Sequence, residues 1–183
     1  MVLLNSYYNQ KQIIARVDRE GNVIGKIEKW EAHKKGILHK ALSVTLIYKN
    51  QYILQHRKHV AFDGVFDLTS SSHQIYIKDR LQSTLEVTYD CLKREWNLSK
   101  KDLVSAPKNN GSIYYKAKDP NSIYTEHEIC EMLIVEIKSF PNPNFDFAYG
   151  FSLIKKGELK NKKGRIYNSL APWSKIAIEK NLI

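Results

Sequence analysis

The chain has 183 residues, of which 43% are hydrophobic and 11% aromatic. That is enough for one domain with a substantial core, and it argues against disorder. The formal net charge of +10 suits a polyanionic partner such as nucleic acid, a membrane surface or a phosphorylated metabolite. No apolar run approaches the roughly 20 residues a membrane-spanning helix needs.

Met1-Val2-Leu3-Leu4-Asn5 lacks a charged region, a long apolar core and a cleavage site, so no secretory signal is expected. Gln12 to Val17 reads as a short strand, Asp18 to Asn22 as a turn and Val23 to Ile27 as the returning strand of a hairpin. Lys29 to Gly36 is polar and reads as irregular. His39 opens a strand over Ala41 to Tyr48, which Lys49-Asn50-Gln51 turns back into Tyr52 to His56. A loop from Arg57 to Phe66 leads to Asp67 through His73. Asp79 to Trp96 reads as a helix capped by Asp79, with Leu81, Leu85, Thr88, Leu92 and Trp96 as its stripe and Tyr89 beside them. Asn97 stops it. Ser105 to Asn110 reads as a loop, Ile113 to Ala117 as a strand and Lys118 to Asn121 as a turn. The next strand runs through Glu126 and Ile137 and ends before Pro141 and Pro143. Phe147 to Leu153 reads as a bend or short helix, the basic run Lys155 to Arg165 as a solvated loop, and Pro172 to Leu182 as a helix with proline in its first turn. Strands dominate, no linker or repeat divides the chain, and one α+β domain over residues 1–183 is expected.

Cys91 and Cys130 lie far apart and form no Cys-x-x-Cys pair, so free thiols and a cytoplasmic chain are expected. Zinc-finger spacing, an RNA-recognition signature and a basic helix with interleaved aromatics are all missing. The case for nucleic acid therefore rests on charge alone.

Glu126 and Glu128 stand two residues apart on a strand and so share a face, which continues as Cys130, Met132 and Ile134. Two carboxylates aimed at one interior spot repel each other and call for a shared proton, a cation or a metal. A solvent-facing strand edge with ordinary charges is the alternative. With His33, His39 and His73 the pair makes a hard-to-borderline donor set suited to Mg²⁺, Mn²⁺ or Zn²⁺. On spacing alone each histidine reads as a surface or hydrogen-bonded residue.

Five segments in order match one known pattern of motifs. Glu28-Lys29-Trp30-Glu31-Ala32-His33 resembles Glu-Lys-aromatic-x-Ala-His, and Leu38-His39-Lys40-Ala41-Leu42-Ser43 resembles Leu-His-x-Ala-Phe-Ser. Gly64-Val65-Phe66 through Ser72-His73 resembles Gly-x-Trp-Thr-Asn followed by Cys-x-His. Tyr114 to Pro120 with Glu126-His127-Glu128 resembles Tyr-x-Ala with Glu-(His/Asn)-Glu, and Ala171-Pro172-Trp173 resembles Ser-Pro-Trp. Together these segments resemble the type I isopentenyl-diphosphate isomerases of the Nudix superfold, from about residue 12 to the C-terminus. The resemblance implies a Nudix-type mixed β-sheet with flanking helices, an added N-terminal hairpin at about 12–28 and a C-terminal helix at about 172–182.

The resemblance also implies an isomerase that shifts an allylic double bond of a prenyl diphosphate by protonation and deprotonation. His33, His39, His73, Glu126 and Glu128 would ligate the metal, with Tyr115 beside Glu128 as the acid pair and Trp173 as an aromatic wall for the cation. Lys29, Arg57 and Lys58 would hold the diphosphate, and Glu95 would bind Mg²⁺ through it. Taken singly, Trp173 and Tyr115 also fit ordinary core packing, and Lys29 and Arg57 fit solvated surface charges. The expected partner is a small prenyl diphosphate, without nucleic acid or membrane, for a monomer or weak homodimer. A non-catalytic diphosphate-binding module and a Nudix pyrophosphohydrolase are the alternatives.

Two departures stand out. Ser71 occupies the position of the family's basic cysteine, and no neighbouring base is evident. The helix segment Lys93-Arg94-Glu95-Trp96 keeps one glutamate of the hydrolytic Nudix pair and lacks its glycine.

Overall fold

The computed structural model describes residues 6–183, so the reading of residues 1–5 lies outside the described residues. After a 3-10 turn at Ser6–Asn9 come β1 (Ile13–Val17), β2 (Val23–Glu28), α1 (Lys29–Lys35), β3 (His39–Tyr48) and β4 (Gln51–Arg57). Four short strands follow: β5 (Phe66–Asp67), β6 (Ser70–Ser72), β7 (Tyr76–Ile77) and β8 (Arg80–Leu81). The rest is α2 (Thr84–Trp96), β9 (Lys108–Lys118), β10 (Thr125–Glu136), β11 (Ala148–Ile154), α3 (Lys156–Lys160), α4 (Arg165–Ser169) and α5 (Pro172–Glu179). Among the described residues, no helix is long and apolar enough to cross a membrane.

The architecture is α+β. β3 and β10 lie parallel at its centre, and their runs of aliphatic residues are buried on both faces, as parallel pairs require. Leu42, Val44 and Leu46 of β3 and Leu133 and Val135 of β10 pack with Leu92 and Trp96 of α2 on one face. Ala41, Cys130 and Met132 point the other way and pack with Trp173, Ala177 and Ile178 of α5. The sheet is thus sandwiched between helices. The turn after β1 follows from its sequence: the Asp18 carboxylate accepts from the backbone N–H of Glu20 and Asn22 at 3.1 and 2.8 Å.

Register places the chemistry. Glu128 pairs with His39 on one side and with Tyr115 on the other, so three functional residues form one rank across β3, β10 and β9. β6 lies along the opposite edge of β3, with Ser71 against Ser43.

Several expectations change. Lys29–Lys35 is a helix, α1, capped by the Glu28 side chain on the Glu31 N–H and ended by Gly36 at φ +61°. The middle helix starts at Thr84, not near Asp79. Leu81 belongs to the β7–β8 hairpin, Leu85 is exposed, and the buried stripe is Val87, Thr88, Cys91, Leu92, Glu95 and Trp96. Ala148–Ile154 is a strand paired with β4 rather than a bend or helix. β9 begins at Lys108, inside the expected loop. The basic run contains α3, although its lysines are exposed. The last helix ends at Glu179.

Ser83 and Glu86 form a capping box at the start of α2. Ser83→Ala should therefore lower stability by about 1 kcal/mol, read as a lower urea midpoint with an unchanged slope. Asp79→Ala should leave the midpoint in place; the reverse pattern would put the helix start back at Asp79.

A candidate metal centre beside a buried acid pair

Period-2 geometry decides what β10 contributes. Glu126 and Glu128 point inward and are each only 4% exposed. His127, between them, faces the other way and anchors α1 through its Nδ1 to the Gly36 carbonyl at 2.8 Å. Lys29 and His33 lie four residues apart and share the inward face of α1.

The histidines are oriented by backbone carbonyls. His33 Nδ1 lies 2.7 Å from the Lys29 carbonyl and His39 Nδ1 lies 2.7 Å from the Ile37 carbonyl. A carbonyl only accepts, so each Nδ1 carries the hydrogen and each neutral ring turns a bare Nε2 inward. His33 Nε2 is 3.0 Å from Glu126 Oε2. His39 and His73 Nε2 are 3.4 and 3.1 Å from Glu128 Oε1. Ligand atoms of all five residues lie within 4.8 Å of one another. His33 Nε2 and Glu126 Oε2 are close but not aligned as a hydrogen bond, and both are buried with no other partner. Lone pairs facing lone pairs at a buried spot fit a cation between them. The mixed imidazole and carboxylate donors suit a divalent ion.

Electrostatics agree. Burial opposes charging of His33, but the Glu126 carboxylate outweighs it and raises the imidazole pKa. Burial pushes Glu128 up, while the adjacent His39 more than offsets it and the carboxyl is held at about 2. Tyr115 donates to Glu128 Oε2 at 2.5 Å. Burial, joined by the Glu128 charge, raises the phenol well above its usual value. Tyr115 therefore holds its proton against an ionised Glu128.

A second group is cationic. Lys29 and Arg57 are 3% and 5% exposed, which overturns the reading of them as solvated charges. Burial lowers the Lys29 pKa. Arg57 pairs with Asp67 at 3.1 Å and Arg94 with Glu95 at 2.7 Å. The Nε atoms of both arginines are buried without partners. Lys29, Arg57, Arg94 and Glu95, with Tyr7, Tyr8, His59, Ser71, His73, Glu126 and Glu128, line one cavity of about 20 Å³, roughly room for one water. Tyr8 helps close it, stacking edge-on against His59 and Phe147 and donating to the Lys58 carbonyl.

The structure thus brings together every expected site residue except two. The Lys58 ammonium turns away to the Phe145 carbonyl at 3.1 Å. Trp173 sits behind the wall at 2% exposure, beside Tyr115 with ring centroids 5.8 Å apart, and carries the Arg57 guanidinium over its ring at 5.1 Å. Its Nε1 donates to Asp67. Sequence reading missed Asp67, Arg94, His59 and Tyr8. β5 holds only Phe66 and Asp67, too short for its aspartate to stand out in sequence.

No family model matches the chain. It is 26% identical to isopentenyl-diphosphate delta-isomerase 2 of Homo sapiens, over 94% of this chain and 83% of that protein. It is 28% identical to isopentenyl-diphosphate Delta-isomerase 1 of Bos taurus, over 87% of this chain and 78% of that one. Identity to the Rhodobacter capsulatus isopentenyl-diphosphate Delta-isomerase is 25%, over 87% and 88%. Among solved structures, a Deinococcus radiodurans protein superposes with a TM-score of 0.66 at 13% identity, covering 92% of this chain and 98% of that one. A MutT Nudix hydrolase of Burkholderia pseudomallei superposes at 0.51 with 12% identity, covering 78% and 96%. The chain has the Nudix fold and is similar over most of its length to isopentenyl-diphosphate isomerases.

A proton and a metal compete for His33 Nε2, so metal binding should release protons. Calorimetry of Zn²⁺ or Mn²⁺ binding in buffers of different ionisation enthalpy should show that release, with affinity falling as pH falls through the raised His33 pKa. Glu126→Ala should weaken binding by at least ~10-fold. PH-independent affinity would place the ion elsewhere.

Proposed function

We propose that the chain is a divalent-metal-dependent isomerase of a prenyl diphosphate, moving a carbon–carbon double bond by one position. The buried Tyr115–Glu128 pair, built onto the five-residue ligand cluster, carries this reading. His33, His39, His73, Glu126 and Glu128 would hold the ion, taken as Mg²⁺ with Mn²⁺ or Zn²⁺ as alternatives. A bound ion would supply Lewis acidity at Glu128, and the Tyr115–Glu128 pair would then be the stronger acid. Glu95 would meet a second Mg²⁺ through the diphosphate.

Lys29, Arg57 and Arg94 bind the diphosphate, and the unpartnered Nε–H groups of both arginines are free to donate to its oxygens. Fixing the charged tail orients the otherwise featureless apolar head. The closed cavity is smaller than such a ligand, so binding requires it to widen. Tyr115 and Glu128 deliver a proton to the terminal alkene carbon, leaving a tertiary cation. Trp173, next to Tyr115, backs the aromatic wall that faces that cation. The neighbouring carbon loses its proton toward Ser71, which enters the cavity from the other edge of β3.

The metal-loaded protein in deuterated water should convert isopentenyl diphosphate to its allylic isomer and incorporate deuterium. Tyr115→Phe, which spares every ligand, should slow this by about 10²-fold or more while leaving diphosphate binding within a few-fold. Saturable binding with no deuterium uptake would make the protein a binding module. Phosphate release from nucleoside diphosphates would make it a hydrolase.

A further inference from the structure

Asp67 is fully buried and surrounded by donors. Its Oδ1 accepts from Trp173 Nε1 at 2.7 Å, Ser174 Oγ at 2.8 Å and the Leu68 N–H at 2.7 Å. Its Oδ2 accepts from Arg57 at 3.1 Å and from Ser71 Oγ at 2.9 Å. Beside a guanidinium the carboxylate is an acceptor, so the single Ser71 hydroxyl hydrogen is committed to it. That leaves the Ser71 oxygen lone pairs for other partners. Ser71, but not Asp67, lines the cavity that Glu128 also lines. Both residues depart from the motif described above. Asp67 falls where the related segment has threonine and Ser71 where it has cysteine, and the two departures are in hydrogen-bond contact.

We propose that Asp67 is the proton sink of the deprotonation step and acts through Ser71. The inference rests on the isomerase reading. As the carbon next to the cation gives up its proton to Ser71 Oγ, the Ser71 hydrogen passes to Asp67 Oδ2. The C–H electron pair becomes the new double bond, one O–H bond forms at Ser71 as the other breaks, and Asp67 ends neutral. Tyr115–Glu128 has supplied one proton on the other side, and exchange with water resets both groups. No free alkoxide forms. The demand on the acceptor is small, because a hydrogen beside a carbocation is strongly acidic. Ser71 is the catalytic residue of this pair and Asp67 its positioning and proton-accepting partner. Arg57, Trp173 and Ser174 fix the angle of the carboxylate.

A double-mutant cycle separates this role from a structural one. A thiol ionises near ~8.5 and needs no sink, so Ser71→Cys should uncouple position 71 from Asp67. Metal-loaded wild type, Asp67→Asn, Ser71→Cys and the double variant are compared for kcat and KM of isomerisation. Asp67→Asn should lower kcat by about 10²-fold when residue 71 is serine, and only a few-fold when it is cysteine. Ser71→Ala, which keeps every other bond to Asp67, should lose as much as Asp67→Asn. Equal losses from Asp67→Asn in both backgrounds, or full turnover in Ser71→Ala, would overturn the proposal. Activity in Ser71→Cys with none in the wild type would overturn the relay and leave the isomerase reading standing. Activity in neither would sink that reading and the relay with it.

Discussion

Two carboxylates held on one buried face of β10 create a charge problem that apolar packing cannot solve. Removing an ionised carboxylate from water costs several kcal/mol unless partners replace the lost hydration. The structure answers with register. β3 places His39 beside Glu128, β9 places Tyr115 on its other side, α1 turns His33 toward Glu126, and the chain leaving β6 delivers His73. His39 and Tyr115 are held by strand pairing, and the His33 and His39 rings are oriented by backbone carbonyls. The histidines still do not saturate the oxygens, because their inward nitrogens are acceptors when neutral. A proton on His33 or a metal ion completes the set, and an acid pair follows from that completion.

The same cavity holds the opposite imbalance a few residues away. Lys29, Arg57 and Arg94 are drawn inward; among the described residues Asp67 and Glu95 form the ion pairs with the arginines, and both Nε atoms lack partners. The Lys29 ammonium lies 5.3 and 4.6 Å from the ring centres of Tyr7 and Trp30. Aromatic faces recover only part of the hydration a buried ammonium loses. An anion entering here would relieve this cationic excess, as a metal would relieve the carboxylate excess beside it. A diphosphate with a short apolar head matches the juxtaposition: charge is held at one end, and a proton donor and acceptor stand at the other.

Much of this was legible in sequence where local physics decides. The β3 and β10 runs, the Asp18 turn, the αL stop at Asn97, the proline start of α5 and the shared face of the two glutamates all follow from side-chain period or backbone preference. The failures have identifiable causes. α1 buries Lys29, Ala32 and His33, so its inward face is functional and polar and gives no apolar stripe. Leu81 and Leu85 extend the α2 period by chance, while Ser83 with Glu86 three residues on carries the true start. In β11, Gly150 and the exposed Tyr149 obscure the alternation. The ligand set spans α1, β3, the segment after β6, and β10, so no spacing reveals it, and only the ordered motifs brought it together. The Asp67–Ser71 contact was beyond reach for a different reason. Its meaning depends on which way a hydroxyl hydrogen points.

The central claim is that five side chains hold one ion at the foot of the acid pair. A crystal structure of the zinc-loaded protein, with anomalous scattering collected at the metal edge, tests it directly. The account predicts one strong peak at about 2.0–2.2 Å from the Nε2 atoms of His33, His39 and His73 and from oxygens of Glu126 and Glu128. A well-ordered structure at saturating zinc with no peak among these residues, or with the ion held by a different set, would contradict it.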